Sequence, residues 1–395
     1  MSTFKVDDIL GELSTDVINL PNKFKVGGNT IEQGYTASAT EPSSPSEGDF
    51  WWDTANEVLY RYINGEFKDV GVAVAAAIWY GDRDLRTGFT SSTYFTDIHY
   101  NSITTLGNAA DFGNVSYSRT RSAACSNGTY SYRFGGSNSA SATASITVSN
   151  VVDYFANATL GNASDFGDAQ AAHCDGAGHC DGTTGVVWEG MVGSAGNASN
   201  ITNTIDKYTL DTTGNATDFG NLSVITNRWN ISEGGGGNAT RGLFWGGTNN
   251  VSPYTPHVNY IDYVTVATPG NSSDFGDMNI ARYAGPVTGA GTDDRCLYFG
   301  GYTSSVGGVS QIDYVTVSTT GNAADFGDLN PASGLGYTQY YGGAAANATR
   351  ALHHFSYGNN QISYVTMSTT GNATDFGDQL TTSNTLQSHS SGAAS

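Results

Sequence analysis

The chain has 395 residues, and its formal charge of −20 comes from 36 acidic against only 16 basic side chains. Fifty-one glycines against eight prolines, with 23 tyrosines and 17 phenylalanines, point to strands and tight turns and exclude a long helical bundle. The negative balance excludes long-range attraction to nucleic acid or to an anionic membrane, both of which are polyanions.

From the N-terminus, Met1 to Leu20 carries Asp7, Asp8, Glu12 and Asp16 where a secretory signal needs a basic and then an apolar run. Val6 to Leu13 reads as one or two helical turns that dock on a partner. No stretch approaches the length of continuous apolar sequence that a transmembrane helix requires, so no membrane insertion is expected. The first 72 residues hold 5 basic and 12 acidic side chains and 7 of the glycines, a composition that sets them apart as a separate unit. Within them, residues 36 to 47 have linker composition, so 1–47 is assigned as an attachment segment and linker. Residues 48–72 alternate polar and apolar positions around Asn64-Gly65, the strongest short hairpin signal, and are assigned as a small β-hairpin module.

Beyond residue 72 the chain is written in repeats. The heptapeptide Gly-Asn-Ala/Ser-x-Asp-Phe-Gly begins at Gly107, Gly161, Gly214, Gly270, Gly321 and Gly371, six matches at nearly constant spacing. Nine residues upstream stands an Ile or Val (Ile98, Val152, Ile205, Ile261, Ile312, Ile362), and seven upstream a Tyr in every unit but one, which has Lys207. Between the two lies Asp153, Asp206, Asp262 or Asp313 in four units. Apolar, polar, aromatic in alternation predicts a half-buried strand. A second β-like run ends in Gly-Gly at 132–136, 243–247 and 297–301, with weaker copies at 186–190 and at Ile78-Trp79-Tyr80-Gly81, and a degenerate one around His354 to Gly358. The variable segment after each motif, for example Ala281 to Gly291, reads as a third strand approaching a crowded place, and the Asp-Phe-Gly itself as a short fourth.

Four short strands per unit of about 50 residues, six times over, predict a six-bladed β-propeller across 73–395. The first unit lacks a post-motif strand, whereas the last motif is followed by a spare one, Asp378 to Gly392. Pairing the two closes the ring and removes its open edges.

The repeat resembles the kelch family of propellers in its period and in the Gly-Gly pair, over about residues 70 to 392. It departs from kelch where a Trp usually follows the pair; Phe112, Phe166, Phe219, Phe275, Phe326 and Phe376 are expected to take that packing role. The segment Pro42-x-x-Pro45-x-x-Gly48-Asp-Phe-Trp-Trp-Asp-Thr54 resembles a small module of bacteriophage tail and fibre proteins. The Thr-Thr-Gly-Asn-Ala-x-Asp-Phe-Gly-Asp cadence is similar to repeats in structural proteins of marine phages that infect cyanobacteria. These resemblances imply a virion protein, assembled in the host cytoplasm and oligomeric on the particle. Its N-terminal segment would hold other virion proteins, and its propeller would face outward.

The repeated Asp111, Asp165, Asp218, Asp274, Asp325 and Asp375 are candidate Ca²⁺ ligands or, with the neighbouring Asn, ordinary turn formers; turn chemistry is the preferred reading. The Asn-x-Ser/Thr matches such as Asn215 and Asn372 are read as turn asparagines, not glycosylation sites. Four cysteines are too few for a disulfide-built scaffold and leave the redox compartment open. His173, Cys174, His179 and Cys180 form the one local cluster of soft metal ligands, but their spacing fits no familiar zinc site. Cys125, His179 and His389 all fall 12 residues after the last motif Gly, which would gather them near the propeller axis. Local variation in an inner strand is preferred, with no metal or cofactor assigned. No Gly-x-Ser-x-Gly elbow, sialidase-like Asp box or phosphate loop is present.

The expected function is therefore a non-enzymatic virion structural protein of the tail-fibre or adhesin type, recognising a host-surface glycan or receptor. Variable loops at Asn249 to His257, with Tyr254, and at Ser304 to Gln311 are either the places for such recognition or ordinary propeller loops. The alternatives are a capsid or collar decoration protein without a receptor role and a depolymerase acting on host polysaccharide.

Overall fold

A computed structural model describes residues 24–26, 29–31, 35–46, 48–53, 58–63, 65–69, 82–87, 96–137, 147–192, 200–223, 228–229, 235–249, 257–289, 294–329, 342–355, 359–380 and 389–391. The regular structure among them is β throughout, arranged in many largely antiparallel sheets. Among the described residues no helix is long and apolar enough to cross a membrane. The segment Val6 to Leu13, the run 78–81 and Tyr254 lie outside the described residues.

The chain divides into two compact units, Met1–Ala75 and Ala76–Ser395. In the first, the strands Phe50–Asp53, Val58–Ile63 and Glu66–Asp69 form an antiparallel meander, with Gly65 at φ +86 in the final turn. Tyr35–Ser38, at the start of the stretch with linker composition, adds to this sheet in parallel beside Phe50–Asp53. Trp51 anchors the sheet: its indole nitrogen donates to the Ser38 carbonyl at 3.1 Å and its ring stacks on Tyr60 at 5.0 Å.

In the second unit each repeat owns one sheet. The first is His389–Ser391, Arg83–Thr87, Asp97–Ser102 and Ala110–Asn114; the last described strand thus pairs with the first described strand of this unit, Ser391 opposite Leu85. The second is built on Ala123–Ser126, Tyr130–Phe134, Ser149–Ala156 and Ser164–Cys174, and the third on Ala177–Cys180, Thr184–Trp188, Thr204–Thr209 and Thr217–Asn221. The fourth contains Gly236–Gly237, Arg241–Trp245, Tyr260–Thr265 and Ser273–Asp277. The fifth has Arg295–Phe299, Gln311–Thr316 and Ala324–Asp328, its inner segment reduced to a bridge between Val287 and Tyr298. The sixth is Gly343–Ala346, Arg350–His354, Gln361–Thr366 and Thr374–Asp378. The second strand of the first sheet is Arg83–Thr87, downstream of the Trp79 run that the sequence suggested for it.

The heptapeptide's conservation along the chain has a geometric cause. Its third residue (Ala109, Ala163, Ala216, Ser272, Ala323, Ala373) donates its amide to the carbonyl just after the preceding motif (Asp378, Asn114, Asp168, Asn221, Asp277, Asp328) at 2.8 to 2.9 Å. The Oδ1 of its Asn (Asn108, Asn162, Asn215, Asn271, Asn322, Asn372) accepts the amide of that same preceding residue at 3.0 Å. Each motif is therefore bonded to the next, and the sixth to the first. The last Gly of each motif takes φ between +147 and +156, and a Cβ there would overlap the carbonyl of the next motif's first Gly. Only glycine lets the two backbones approach this closely.

Six apolar clusters fill the spaces between consecutive sheets. Phe112 meets Phe155 of the second sheet at 5.8 Å between ring centroids, and Phe166 lies with Tyr208 of the third. Phe219, Phe275 and Phe326 pack beside Val264, Val315 and Val365 of the sheets that follow them, and Phe376 beside Ile103 of the first. Burying one such ring stabilises by about 2 to 3 kcal/mol. Four arginines add a second tie. Arg83, Arg241, Arg295 and Arg350 lie 4.6 to 5.2 Å over Tyr100, Tyr263, Tyr314 and Tyr364. Each also donates to a carbonyl of the next sheet, that of Asn157, Val317, Met367 or Ile103, at 2.7 to 3.0 Å.

The alternation Ile-Asp-Tyr predicts a half-buried strand, and in the structure its polar position is buried too: Asp153, Asp206, Asp262 and Asp313 lie in sheets packed against neighbours on both faces.

Candidate functional site

Three of the buried aspartates, Asp153, Asp206 and Asp313, receive donors from the segment after the preceding motif. Ser116 Oγ donates to Asp153 at 2.7 Å, and Arg119 forms a fully buried ion pair with it. Asp313 takes Arg282 at 2.9 Å and the Asn279 amide at 2.9 Å. Asp262 accepts the Ser272 hydroxyl at 3.1 Å. Donors stand three residues after the motif's last Gly (Ser116, Gln170, Asn279) and cations six after (Arg119, Arg282).

The third sheet departs from this rule. His173 occupies the position of Arg119 and Arg282, and burial pushes its imidazole down to about 4, so it supplies no cation at neutral pH. Asp206 relies on Gln170, whose side-chain amide donates at 2.6 Å and backbone amide at 3.2 Å, and on the Tyr208 hydroxyl at 3.2 Å. Glu189 stands where three other sheets have the first glycine of the pair (Gly135, Gly246, Gly300), and its Oε1 accepts the Ala171 amide at 3.1 Å. Burial first and the charge of Asp206 second push Glu189 up to about 8. The arrangement holds a proton at neutral pH, but with Glu189 only 2% exposed it offers no surface to a substrate.

The Asp of each Asp-Phe-Gly is exposed. Among the described residues no three His, Cys, Asp or Glu side chains come together in a way that could hold a metal ion. The fold separates the His/Cys stretch. His173 Nδ1 lies 3.1 Å from the Ala171 carbonyl, and Cys174 is buried beside Asp175. His179 Nε2 lies 2.9 Å from the Asn238 carbonyl of the fourth sheet, while Cys180 turns to the second sheet. Asn215 and Asn372 hold neighbouring sheets together; the Asx turns are made by other asparagines, such as Asn238 and Asn347, whose Oδ1 atoms accept amides two and three residues on.

A cluster of partly exposed rings lies at the fourth and fifth sheets. His257, at the end of the Asn249 to His257 loop, meets Tyr283 at 4.8 Å and Tyr302 at 6.0 Å between ring centroids, and the two tyrosines are 5.4 Å apart. Tyr283 and Tyr302 exchange backbone hydrogen bonds of 3.2 and 2.9 Å, which fixes the pair. All three residues are partly exposed, but both ring nitrogens of His257 are buried, without a hydrogen-bond partner among the described residues. Beside them the hairpin of Tyr302–Thr303 and Gly307–Gly308 presents Val306, 71% exposed, in the Ser304 to Gln311 loop. The triad was not legible as a motif, since its members come from three separate segments.

Compared with known proteins, the sequence matches no family model and no curated protein.

Proposed function

We propose that the chain is a non-enzymatic structural protein of a bacteriophage particle, of the tail-fibre or adhesin type. It displays a six-bladed, kelch-like β-propeller closed by its C-terminal strand, and its N-terminal segment joins other virion proteins. The observation that carries this reading is the cycle of motif hydrogen bonds running from each repeat to the next and from the sixth to the first. It supports a closed ring in which the motif asparagines and the buried Asp153, Asp206 and Asp313 are used up in holding sheets together. What remains for recognition is surface between the repeated strands, and the partly exposed rings of Tyr283 and Tyr302, packed against His257, suit the apolar face of a sugar.

The test is incubation of the purified chain with cell-envelope polysaccharide from a cyanobacterium, followed by binding and product analysis. Saturable binding without released sugar, lost in His257→Ala and Tyr302→Ala, is the expected result. Release of oligosaccharide would replace the adhesin with a depolymerase, and absence of binding would favour a decoration protein. Antibody labelling of intact particles locates the chain.

A further inference from the structure

Cys180 acquires a partner that its own segment does not contain. It ends the innermost strand of the third sheet, Ala177–Cys180, and there it meets Cys125 from the innermost strand of the second, Ala123–Ser126. These strands are close neighbours. A Cβ on Gly178 would stand 2.9 Å from the Ala124 carbonyl oxygen, and the Cys180 thiol donates to the Ser126 carbonyl at 2.8 Å. The thiols of Cys125 and Cys180 lie within hydrogen-bond reach of each other and share one apolar cluster with Tyr132 and Val187. All four cysteines are free thiols.

We propose that Cys125 and Cys180 are a cross-linking site: exchange with a low-molecular-weight disulfide joins them and ties the second sheet to the third. Cys180 is partly exposed and reacts first. Its thiolate attacks one sulfur of the reagent, forming a mixed disulfide and releasing one small thiol. The Cys125 thiolate then attacks Cys180 Sγ, forming the protein disulfide and expelling the second small thiol. Two protein thiols and one small disulfide give one protein disulfide and two small thiols. Two electrons pass to the reagent, and the two protons leave with its thiols.

The second step is favoured because the two sulfurs are already side by side, so the attack is intramolecular. It is also the slower step, since burial pushes the Cys125 thiol well above its usual range. Cys174 and Cys296 are fully buried, and burial raises both thiols, which leaves them outside the exchange. A chain made in a reducing compartment and later exposed to an oxidising one would carry the thiols first and the cross-link second.

The experiment treats the reduced, folded full chain with oxidised glutathione at about pH 8.5, near the ordinary thiol pKa. Acid quenching, alkylation and peptide mass spectrometry follow. The expected product is a cross-linked peptide pair containing Cys125 and Cys180, reversed by a thiol reductant, with Cys174 and Cys296 alkylated only after denaturation. In Cys125→Ser the reaction should stop at glutathione on Cys180, and in Cys180→Ser it should leave Cys125 unmodified. The proposal is overturned if the wild type also stops at the mixed disulfide, if Cys180 pairs with Cys174 or Cys296, or if Cys180 does not react. The wild-type outcome decides the matter even where a variant fails to fold.

Discussion

Glu189→Gln is expected to stabilise the protein by an amount that grows with pH. The carboxyl is buried in the third sheet, accepts the Ala171 amide, and is pushed up to about 8 from its ordinary value of 4.5 by burial and by Asp206. An acid whose folded pKa is raised favours folding fully only below its unfolded pKa. Between pH 4.5 and about 8 the unfolded chain ionises while the folded one must keep its proton, and stability is lost. Each pH unit in that window costs about 1.4 kcal/mol, so near neutrality the wild type forgoes about 3 kcal/mol. Gln copies the shape of the protonated carboxyl and keeps an oxygen for Ala171, but its amide hydrogens need partners, a cost of about 1 kcal/mol where one is missing. The net gain is about 1 to 2 kcal/mol near pH 7, falling to zero or below at pH 4.5. Urea melts of both proteins across this range, followed by the fluorescence of Trp188 next in the chain, measure it. A difference that stays constant with pH, or a variant less stable than wild type at pH 8, would refute the reasoning.

Acid should act through the histidines. His99 and His173 are pushed down to about 4 by burial, with the charges of Arg86 and Arg119 adding to it, and His179, His257, His353 and His354 are lowered by burial as well. For bases with depressed folded pKa values, stability falls as pH drops below the unfolded value of about 6.5, by about 2 kcal/mol each for His99 and His173 at about pH 5. Melts in the Glu189→Gln background, where one opposing carboxyl is gone, should show the loss; a flat profile would contradict it. Within one motif, Gly220→Ala forces a Cβ at φ +150 into the Gly270 carbonyl and should cost about 3 kcal/mol or more, whereas Gly214→Ala has open space and should cost about 1 kcal/mol or less. Equal thermal shifts for the two would count against the close-approach account.

Much of the β architecture was legible because its strands sit at fixed offsets from one motif. The Asp-Phe-Gly strand and the Ile-x-Tyr strand precede or contain the heptapeptide by constant counts, so alignment exposed both. The Arg-x-Leu strand (Arg83-Asp-Leu85, Arg241-Gly-Leu243, Arg295-Cys-Leu297, Arg350-Ala-Leu352) also repeats, but 14 to 22 residues separate each Arg from its Tyr. Loops of different length fill that gap, and the drifting offset hid the pattern; hence Trp79 drew attention in place of Arg83. The burial of the aspartates was hidden for a different reason. Alternation normally marks a sheet with one wet face, but a sheet covered on both sides can keep the same alternation if buried donors meet the carboxylates. Donors stand three residues after the motif that precedes Asp153, Asp206 and Asp313, and cations six after it for Asp153 and Asp313, a signal visible only once the acid is known to be buried.

The departures from the repeat carry more chemistry than the repeat itself. At the last position of the Arg-x-Leu strand, the second to fifth sheets place a fully buried aromatic: Phe134, Trp188, Trp245, Phe299. The sixth places His354, whose Nε2 lies 2.6 Å from Asp84 Oδ2 of the first sheet, with Arg86 3.4 Å from the same carboxylate. This junction joins the two ends of the repeat array, whereas the other five join sheets adjacent along the chain and form with little competition. An apolar face at each end of the array would accept its counterpart on another molecule as readily as its own. A buried charged set is no more stabilising than an aromatic pair, and it tolerates few partners other than its complement. Selectivity at the one contact that must be made over long sequence separation accounts for His354 where the second to fifth sheets place an aromatic.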